Sequence, residues 1–486
     1  MRILIESTGL LSSPVASGPA LAFIEWDVNR MPWDSSRLCL ATLDGSGQVE
    51  QVVTVASGPE GSVAEPQWGP DGELYFLSDR TGWWNLHRWH EDDMQHVLAV
   101  DQDCGPAPWE AGYRSYTFLP DGTIIFTLHD GCSTWLASTS SDSTSQRLET
   151  GLTSAKSYVA AFGDRLAVIG STPSSAPAVR LVDLVHGEPA ATLLDSGRSS
   201  DRADHAVSIV SERETASVGA TVRFLLRLPP TINGAALPLL VCAHPGPTDE
   251  VPLRLDWSAE FFTSRGFAVA DVAYRGSSGQ GRAYRQVLYG HWGEFDVQDC
   301  AAAAEHLLAE GVARPGAVFI SGASAGGYTA LKAACHPGPF TVATAISAII
   351  DPHRWQTTAP RFQRPYAALL AGPAGPVRTQ QVTIPVLLIH GTNDAVAPVD
   401  DARQLAAELR KRGKEHESLF LEGAGYLSEP QSQEAALSAE APNTALVPPD
   451  SVLELIDISL TMLNELRIHV ITQYAEDAAS PYPDQP

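Results

Sequence analysis

Positive charge is scarce in this sequence. Its 486 residues carry 32 Lys and Arg against 57 Asp and Glu, a formal net charge of −25. Such a chain repels phosphate backbones and anionic headgroups, so no nucleic-acid or membrane partner is expected and the charge reads as solubility. Cysteine is sparse as well. Cys39, Cys104, Cys132, Cys242, Cys300 and Cys335 stand apart, without C-x-x-C spacing. That excludes a legible zinc site or disulfide framework and leaves small buried hydrophobes in a reducing compartment. No apolar run reaches the roughly 18 residues of a membrane span. The stretch Met1–Leu11 is broken by Glu6 and is too short for a signal core. The expected compartment is the cytoplasm. Walker-type, dinucleotide and zincin motifs are missing, so no cofactor and no metal are expected.

What is present is ample core material. Forty-four per cent of the residues are hydrophobic and 18% charged, and the length exceeds one domain. The first 200 residues repeat a pattern of short strands. Leu21–Trp26 is followed by Arg37–Leu43; Leu74–Phe76 by Trp83–Trp89; Ile124–Leu128 by Ser133–Ala137; Leu166–Ile169 by Ala178–Leu184. Asp-Gly turns recur between them, at Asp44-Gly45, Asp71-Gly72 and Asp121-Gly122. Equivalent strands near residues 22, 75, 124 and 168 lie 44–53 apart, the spacing of β-propeller blades, with an irregular β-sandwich as the alternative. About four blades fit before residue 205. The polar stretch Asp195–His205 reads as a linker.

Beyond it the pattern changes. Leu239–Ala243, Phe267–Val272, Val318–Ser321, Val342–Ala348, Pro385–His390 and Glu417–Glu422 are short apolar strands, alternating with helical stretches such as Asp296–Glu310 and Ala402–Leu409. Alternation of this kind predicts a mostly parallel sheet covered by helices. The expected organisation is an incomplete all-β propeller over 1–205 and an α/β-hydrolase domain over 206–486.

The strongest chemical signal is Gly322-Ala323-Ser324-Ala325-Gly326-Gly327, set between a strand and a helix. A sharp strand-to-helix turn exposes its apex hydroxyl above the sheet and needs small neighbours on both sides. Ser324 is the candidate nucleophile, and the Ala325 amide at the helix start can donate to an oxyanion. A hydrolase of this order needs an acid after a later strand. Asp394, in Gly391-Thr392-Asn393-Asp394, occupies that place. His390 reads as packing at the strand mouth. A second oxyanion donor should come from His244-Pro245-Gly246-Pro247; Pro245 has no N–H, so Gly246 supplies it. Asp296 and Asp299 read as caps of a helix start, and Trp83-Trp84 as blade core.

These stretches resemble the prolyl oligopeptidase family, in its acylaminoacyl-peptidase and dipeptidyl-aminopeptidase-like branch. The resemblance is carried by A-H-P-G-P-T (243–248), S-R-G-F-A-V-A-D-V-A-Y-R-G-S-S-G-Q-G-R-A-Y-R (264–285), G-A-S-A-G-G-Y-T-A-L (322–331) and I-H-G-T-N-D (389–394). In the first half it is carried by E-W-D-V-N-R-M-P-W-D (25–34) and L-Y-F-L-S-D-R-T-G-W-W-N-L (74–86). It implies a Ser-Asp-His hydrolase under a propeller that admits small peptides or esters. By resemblance Ser324 is nucleophile, Asp394 the acid, and Ala325 and Gly246 the oxyanion hole.

The chain departs from that pattern in three places. The family propeller has seven blades, and there is room here for about four. The loop expected as H-G-G-P reads His244-Pro245-Gly246-Pro247, and where the family places its catalytic histidine, Glu422-Gly423-Ala424-Gly425-Tyr426 has Tyr426. A phenol of pKa about 10 is a poor base at neutral pH. His416 starts the preceding strand at the far end of the sheet. His469, in a helix expected over Ser451–Tyr474 beyond the insert Ser428–Pro449, is the possible substitute. The function expected is a serine hydrolase cleaving a small peptide amide or related ester. The alternatives are a tailoring esterase or amidase of specialised metabolism, and a catalytically silent relative. The unclosed blades leave edge strands, which predicts homo-oligomers.

Overall fold

The computed structural model describes residues 3–56, 61–139, 144–184, 208–231, 234–373 and 375–426, with the strand backbone at 191–193. His469, the helix expected over 451–474, the 428–449 insert and the 195–205 linker lie outside the described residues.

The first half consists of four antiparallel sheets of four consecutive strands each, among the described residues. They run from β1 (Leu10–Ser17) to β4 (Val49–Ala56), β5 (Val63–Trp68) to β8 (Asp93–His96), β9 (Tyr116–Phe118) to β12 (Ser145–Arg147), and β13 (Ser154–Phe162) to β16 (Ala191–Leu193). The repeat is physical as well as textual. At two equivalent turns the same bonds recur: Gly72 N to Gly69 O and Gly122 N to Leu119 O, both 3.0 Å. In both turns the glycine takes a left-handed φ, 86° at Gly72 and 87° at Gly122, which a side chain would resist. Alternate strand residues then face neighbouring sheets. Ala22, Ile24 and Leu38 pack on Val63, Leu74 and Phe76. Ile125 and Leu136 pack on Val159, Leu166 and Val168. These sheets are propeller blades.

The second half is one eight-stranded sheet in the order β17-β18-β20-β19-β21-β22-β23-β24. Its members are β17 (Ile209–Ser217), β18 (Ala220–Leu228), β19 (Leu237–Ala243), β20 (Ala268–Ala273), β21 (Ala313–Ala323), β22 (Val342–Ile346), β23 (Val386–Gly391) and β24 (His416–Leu421). The β17–β18–β20 pairings are antiparallel and the others parallel. This is the α/β-hydrolase arrangement. The helix Val399–Lys411 shows why the local sequence folds: Ala402, Leu405, Ala406 and Leu409 are buried, Asp400 and Asp401 begin it, and Arg410 and Lys411 end it.

Two details differ from expectation. Asp299 caps nothing: in the helix Phe295–Ala309 it is fully buried and receives Arg275 Nη2 at 2.7 Å and Arg275 N at 2.7 Å. Asp296 does accept the Gly293 amide at 2.7 Å, and also the Thr329 hydroxyl at 2.5 Å. Burial pushes its carboxyl up to about 6. Of the tryptophan pair, Trp84 is blade core, while Trp83 lies against Gly281 of the second half.

The halves are tied through buried charge. Asp79 of the second blade receives Arg282 Nη1 at 2.9 Å and Arg285 Nη2 at 2.6 Å. Asp34 receives the Tyr289 hydroxyl at 2.5 Å. Removing one member of such a buried set would leave the others unpaired in low dielectric.

Candidate active site

Ser324 stands at the C-terminal end of β21, where the chain turns into the helix Ala325–Ala333. Ser324 has φ 54° and ψ −113°, a strained conformation for a residue with a side chain. The surroundings impose it. A Cβ at Gly322 would lie 2.2 Å from Gly326 O, and one at Gly326 would lie 2.0 Å from Ala243 O. Only glycine lets strand, turn and helix close this tightly. Ser324 N donates to Ile346 O at 2.8 Å, fixing the apex to β22, and the Ser324 side chain makes no helix-capping bond. Ala325 N heads the helix.

The loop after β19 carries the second candidate donor. Gly246 has φ 119°, and a Cβ there would meet Asp249 Cβ at 2.8 Å. His244 opens the loop but is engaged: Nδ1 lies 2.7 Å from Pro245 O, and Nε2 2.7 Å from Ser277 Oγ. Its ring stacks on Tyr274 at 4.1 Å, and burial lowers its pKa, so it is held neutral. This Ser277–His244–Tyr274 support joins residues 30 and 33 positions apart, and no local pattern announces it.

Asp394 follows β23. Its Oδ1 accepts Val396 N at 2.8 Å and Ala397 N at 2.9 Å. Among the described residues its Oδ2 is buried without a hydrogen bond of normal length, and His390 Nε2 stands 3.4 Å away. Burial raises the Asp394 pKa, offset in part by the Ala397 amide, His390, the Val396 amide and the Ser347 hydroxyl. His390 is buried and donates Nε2–H to Ala397 O at 2.8 Å, so it braces this loop from the strand mouth.

Tyr426 closes the described chain. The segment leading to it is stitched to the Asp394 loop. Asn393 N donates to Ala424 O at 2.9 Å, Asn393 Nδ2 to Gly423 O at 3.2 Å, and Gly423 N to Thr392 Oγ1 at 2.8 Å. A Cβ at Gly391 would lie 2.4 Å from both Ala424 O and Gly425 O. The residue after Gly425 is therefore carried alongside the acid loop, and that residue is a half-buried tyrosine. His416 pairs with Val386 at the start of β23, at the opposite end of the sheet. Among the described residues no cluster of ligands could hold a metal ion.

A cavity of about 340 Å³ lies between the halves, lined by Trp109, Tyr113, Tyr158, His244, Asp249 and Glu250 among others. The His244–Asp249 loop forms one of its walls.

Residues 253–441 match the prolyl oligopeptidase family. An acylamino-acid-releasing enzyme of Arabidopsis thaliana is 26% identical over 41% of this chain and 29% of its own. Dipeptidyl peptidase family member 6 of Caenorhabditis elegans is 27% identical over 36% of this chain and 26% of its own. The matched stretch thus spans less than a third of the length of these two relatives. Among solved structures, a puromycin hydrolase superposes with a TM-score of 0.85 at 29% identity, over 90% of this chain and 70% of its own. A puromycin-hydrolyzing peptidase of Mycobacterium tuberculosis gives 0.80 at 29% identity, over 87% and 67%.

Proposed function

We propose that this chain, whose residues 253–441 match the prolyl oligopeptidase family, is a serine hydrolase acting on a small peptide amide or related ester through an acyl-enzyme on Ser324. The observation that carries this is the strained elbow at Ser324, held by glycines that tolerate no side chain. In this reading Ser324 Oγ attacks the carbonyl carbon and the developing oxyanion takes hydrogen bonds from the Ala325 and Gly246 amides. Collapse expels the amine or alcohol, and water then releases the acid. The blades over 1–205 restrict access, and the hydrolase domain occupies the remainder. Puromycin, an aminoacyl amide cleaved by the structural relatives, belongs on the first substrate panel beside aminoacyl and acyl-amino-acid anilides. An esterase or amidase of specialised metabolism is the variant reading for non-peptide substrates.

The proton acceptor is the open member. Tyr426 occupies the histidine's place in sequence, and a phenol does not take the serine proton efficiently at neutral pH. This supports a second reading, a weak or silent hydrolase. His469 is the proposed substitute if turnover is robust. All six cysteines are free, which fits a cytoplasmic setting, and no described helix is long and apolar enough to cross a membrane. Self-association through blade edges is part of the proposal.

A fluorophosphonate probe tests the core of it. Labelling should be lost in Ser324→Ala; undiminished labelling of that variant would place the nucleophile elsewhere.

A further inference from the structure

The loop carrying Gly246 is not anchored by its own domain alone. From the hydrolase side, the Tyr274 hydroxyl donates to His244 O at 2.8 Å and Ser278 N to Asp249 O at 2.9 Å. The propeller contributes at least as much. Trp109, in the connection between the second and third blades, donates its indole Nε1–H to Thr248 O. Ala107 N donates to Ser278 Oγ at 2.9 Å. His129, on the third blade's β10 (Ile124–Asp130), sets Nδ1 3.4 Å from Glu250 Oε2. Further along, Leu253 N donates to Cys132 O at 2.6 Å and Leu255 N to Thr172 O at 2.8 Å. The Thr153 hydroxyl donates to Leu253 O at 2.6 Å. Residues 248–255 are therefore strapped at five points to the blades.

We propose that the third and fourth blades build the oxyanion side of the hydrolase site, with Trp109 and His129 as positioning residues that hold the 244–255 loop and thereby the Gly246 amide. This rests on the reading of Ser324 and Gly246 given above. An oxyanion donor acts only where the oxyanion forms, and misplacement by about 1 Å costs up to 10²-fold. The blades on this view are part of the catalytic geometry as well as a filter on substrates. Trp109 suits the task because its ring is itself fixed, packed 4.4 Å from Trp33 and 5.8 Å from Tyr366. His129 is fully enclosed and faces Glu250, the Thr134 hydroxyl at 3.3 Å, and the buried carboxylates Asp103 and Glu65. Although burial opposes it, these partners raise its pKa, and Glu250 is correspondingly lowered. The strap is ionic while Glu250 is ionised and His129 protonated, and is lost as pH rises through the raised histidine pKa.

The test uses Trp109→Phe, which keeps a ring and deletes the donor, and His129→Gln, which keeps a polar side chain and deletes the charge. Both are compared with wild type in the full chain, with Arg147→Gln on the exposed edge of the third blade as the unchanged control. Expected is a loss of about tenfold in kcat for Trp109→Phe with KM within about twofold, smaller than deleting an oxyanion donor outright. His129→Gln should also remove an alkaline limb from the kcat profile. Hydrogen exchange at residues 244–255 should accelerate in both variants at unchanged melting temperature of the sheet. Unaltered kcat and unaltered exchange, in a protein whose wild type labels at Ser324, would overturn the proposal and leave the hydrolase reading intact. A wild type that never labels would sink that reading, and this inference with it.

Discussion

The two ends of the candidate site differ in how completely they are fixed. At the elbow every backbone approach is enforced: Gly322 and Gly326 leave 2.0–2.2 Å for a Cβ that is absent, and Ser324 is bonded into β22. At the acid loop the backbone is equally well stitched, yet the chemistry stops short. Asp394 satisfies one oxygen with two amides and, among the described residues, leaves the other buried without a normal hydrogen bond, beside a segment that carries Tyr426. A nucleophile is made by six contiguous residues, so local geometry alone preserves it. A base must arrive from distant chain, and nothing in the elbow requires that it does.

The largest expected effect probes the complete end. Ser324→Ala should reduce turnover to background, a loss of about 10³-fold or more if wild type is active. Equal turnover before and after would show that the elbow is ornamental. Next comes the packing contrast. Gly326→Ala puts a methyl against the Ala243 carbonyl and should cost about 3 kcal/mol in a denaturant titration, since neither helix nor strand can retreat. Gly391→Ala puts a methyl 2.4 Å from the Ala424 and Gly425 carbonyls, in a turn whose Glu422 and Gly423 are exposed to solvent, and a smaller cost of about 1 kcal/mol is expected. Equal costs would remove the distinction drawn above.

A smaller effect addresses the incomplete end. Tyr426→His should raise kcat on aminoacyl or acyl-amino-acid anilides by about tenfold, with Asp394 fixing the imidazole. Adding Asp394→Asn should abolish that gain, whereas Asp394→Asn in wild type should change kcat by less than about threefold. Robust wild-type turnover abolished by His469→Ala would instead place the base in the C-terminal stretch.

Much of this architecture was legible in the residues. The strand–elbow–helix and the Asp-Gly turns declare themselves because glycine is demanded by local backbone angles, as at Gly72 and Gly122. Strand pairs such as β2 (Ala20–Trp26) with β3 (Arg37–Leu43) followed from alternation. The outer strands of the blades were not legible: β4 exposes Val52 and Val53 and buries only Val55 and Ala56 at its end, and β12 is Ser-Gln-Arg, exposed throughout, so neither alternates along its length. Asp299 could not be recognised as Arg275's partner, because the pair is 24 residues apart and meets only in the tertiary fold. Nor could the straps from Trp109 and His129 to the Gly246 loop, which span 139 residues between Trp109 and Thr248.

The smallest predicted effect decides what Asp394 faces. Burial raises its pKa above the ordinary value of about 3.9, so in the native state it holds its proton more tightly than in the unfolded chain. By linkage, stability then falls as pH rises from the unfolded pKa through the native one, because more protons are bound in the native state. Asp394→Asn has no charge to bury. It should therefore be more stable than wild type at neutral pH, on the order of 1 kcal/mol, and the advantage should vanish as pH falls to the ordinary carboxylate range. The sign carries the information. An imidazole supplied to Oδ2 from elsewhere in the chain would donate a hydrogen bond to the ionised carboxylate and depress its pKa. Asp394→Asn would then be the less stable protein at neutral pH, with the difference closing in acid. Denaturant melts of the two proteins between acid and neutral pH therefore separate an acid left without its base from one that has found it.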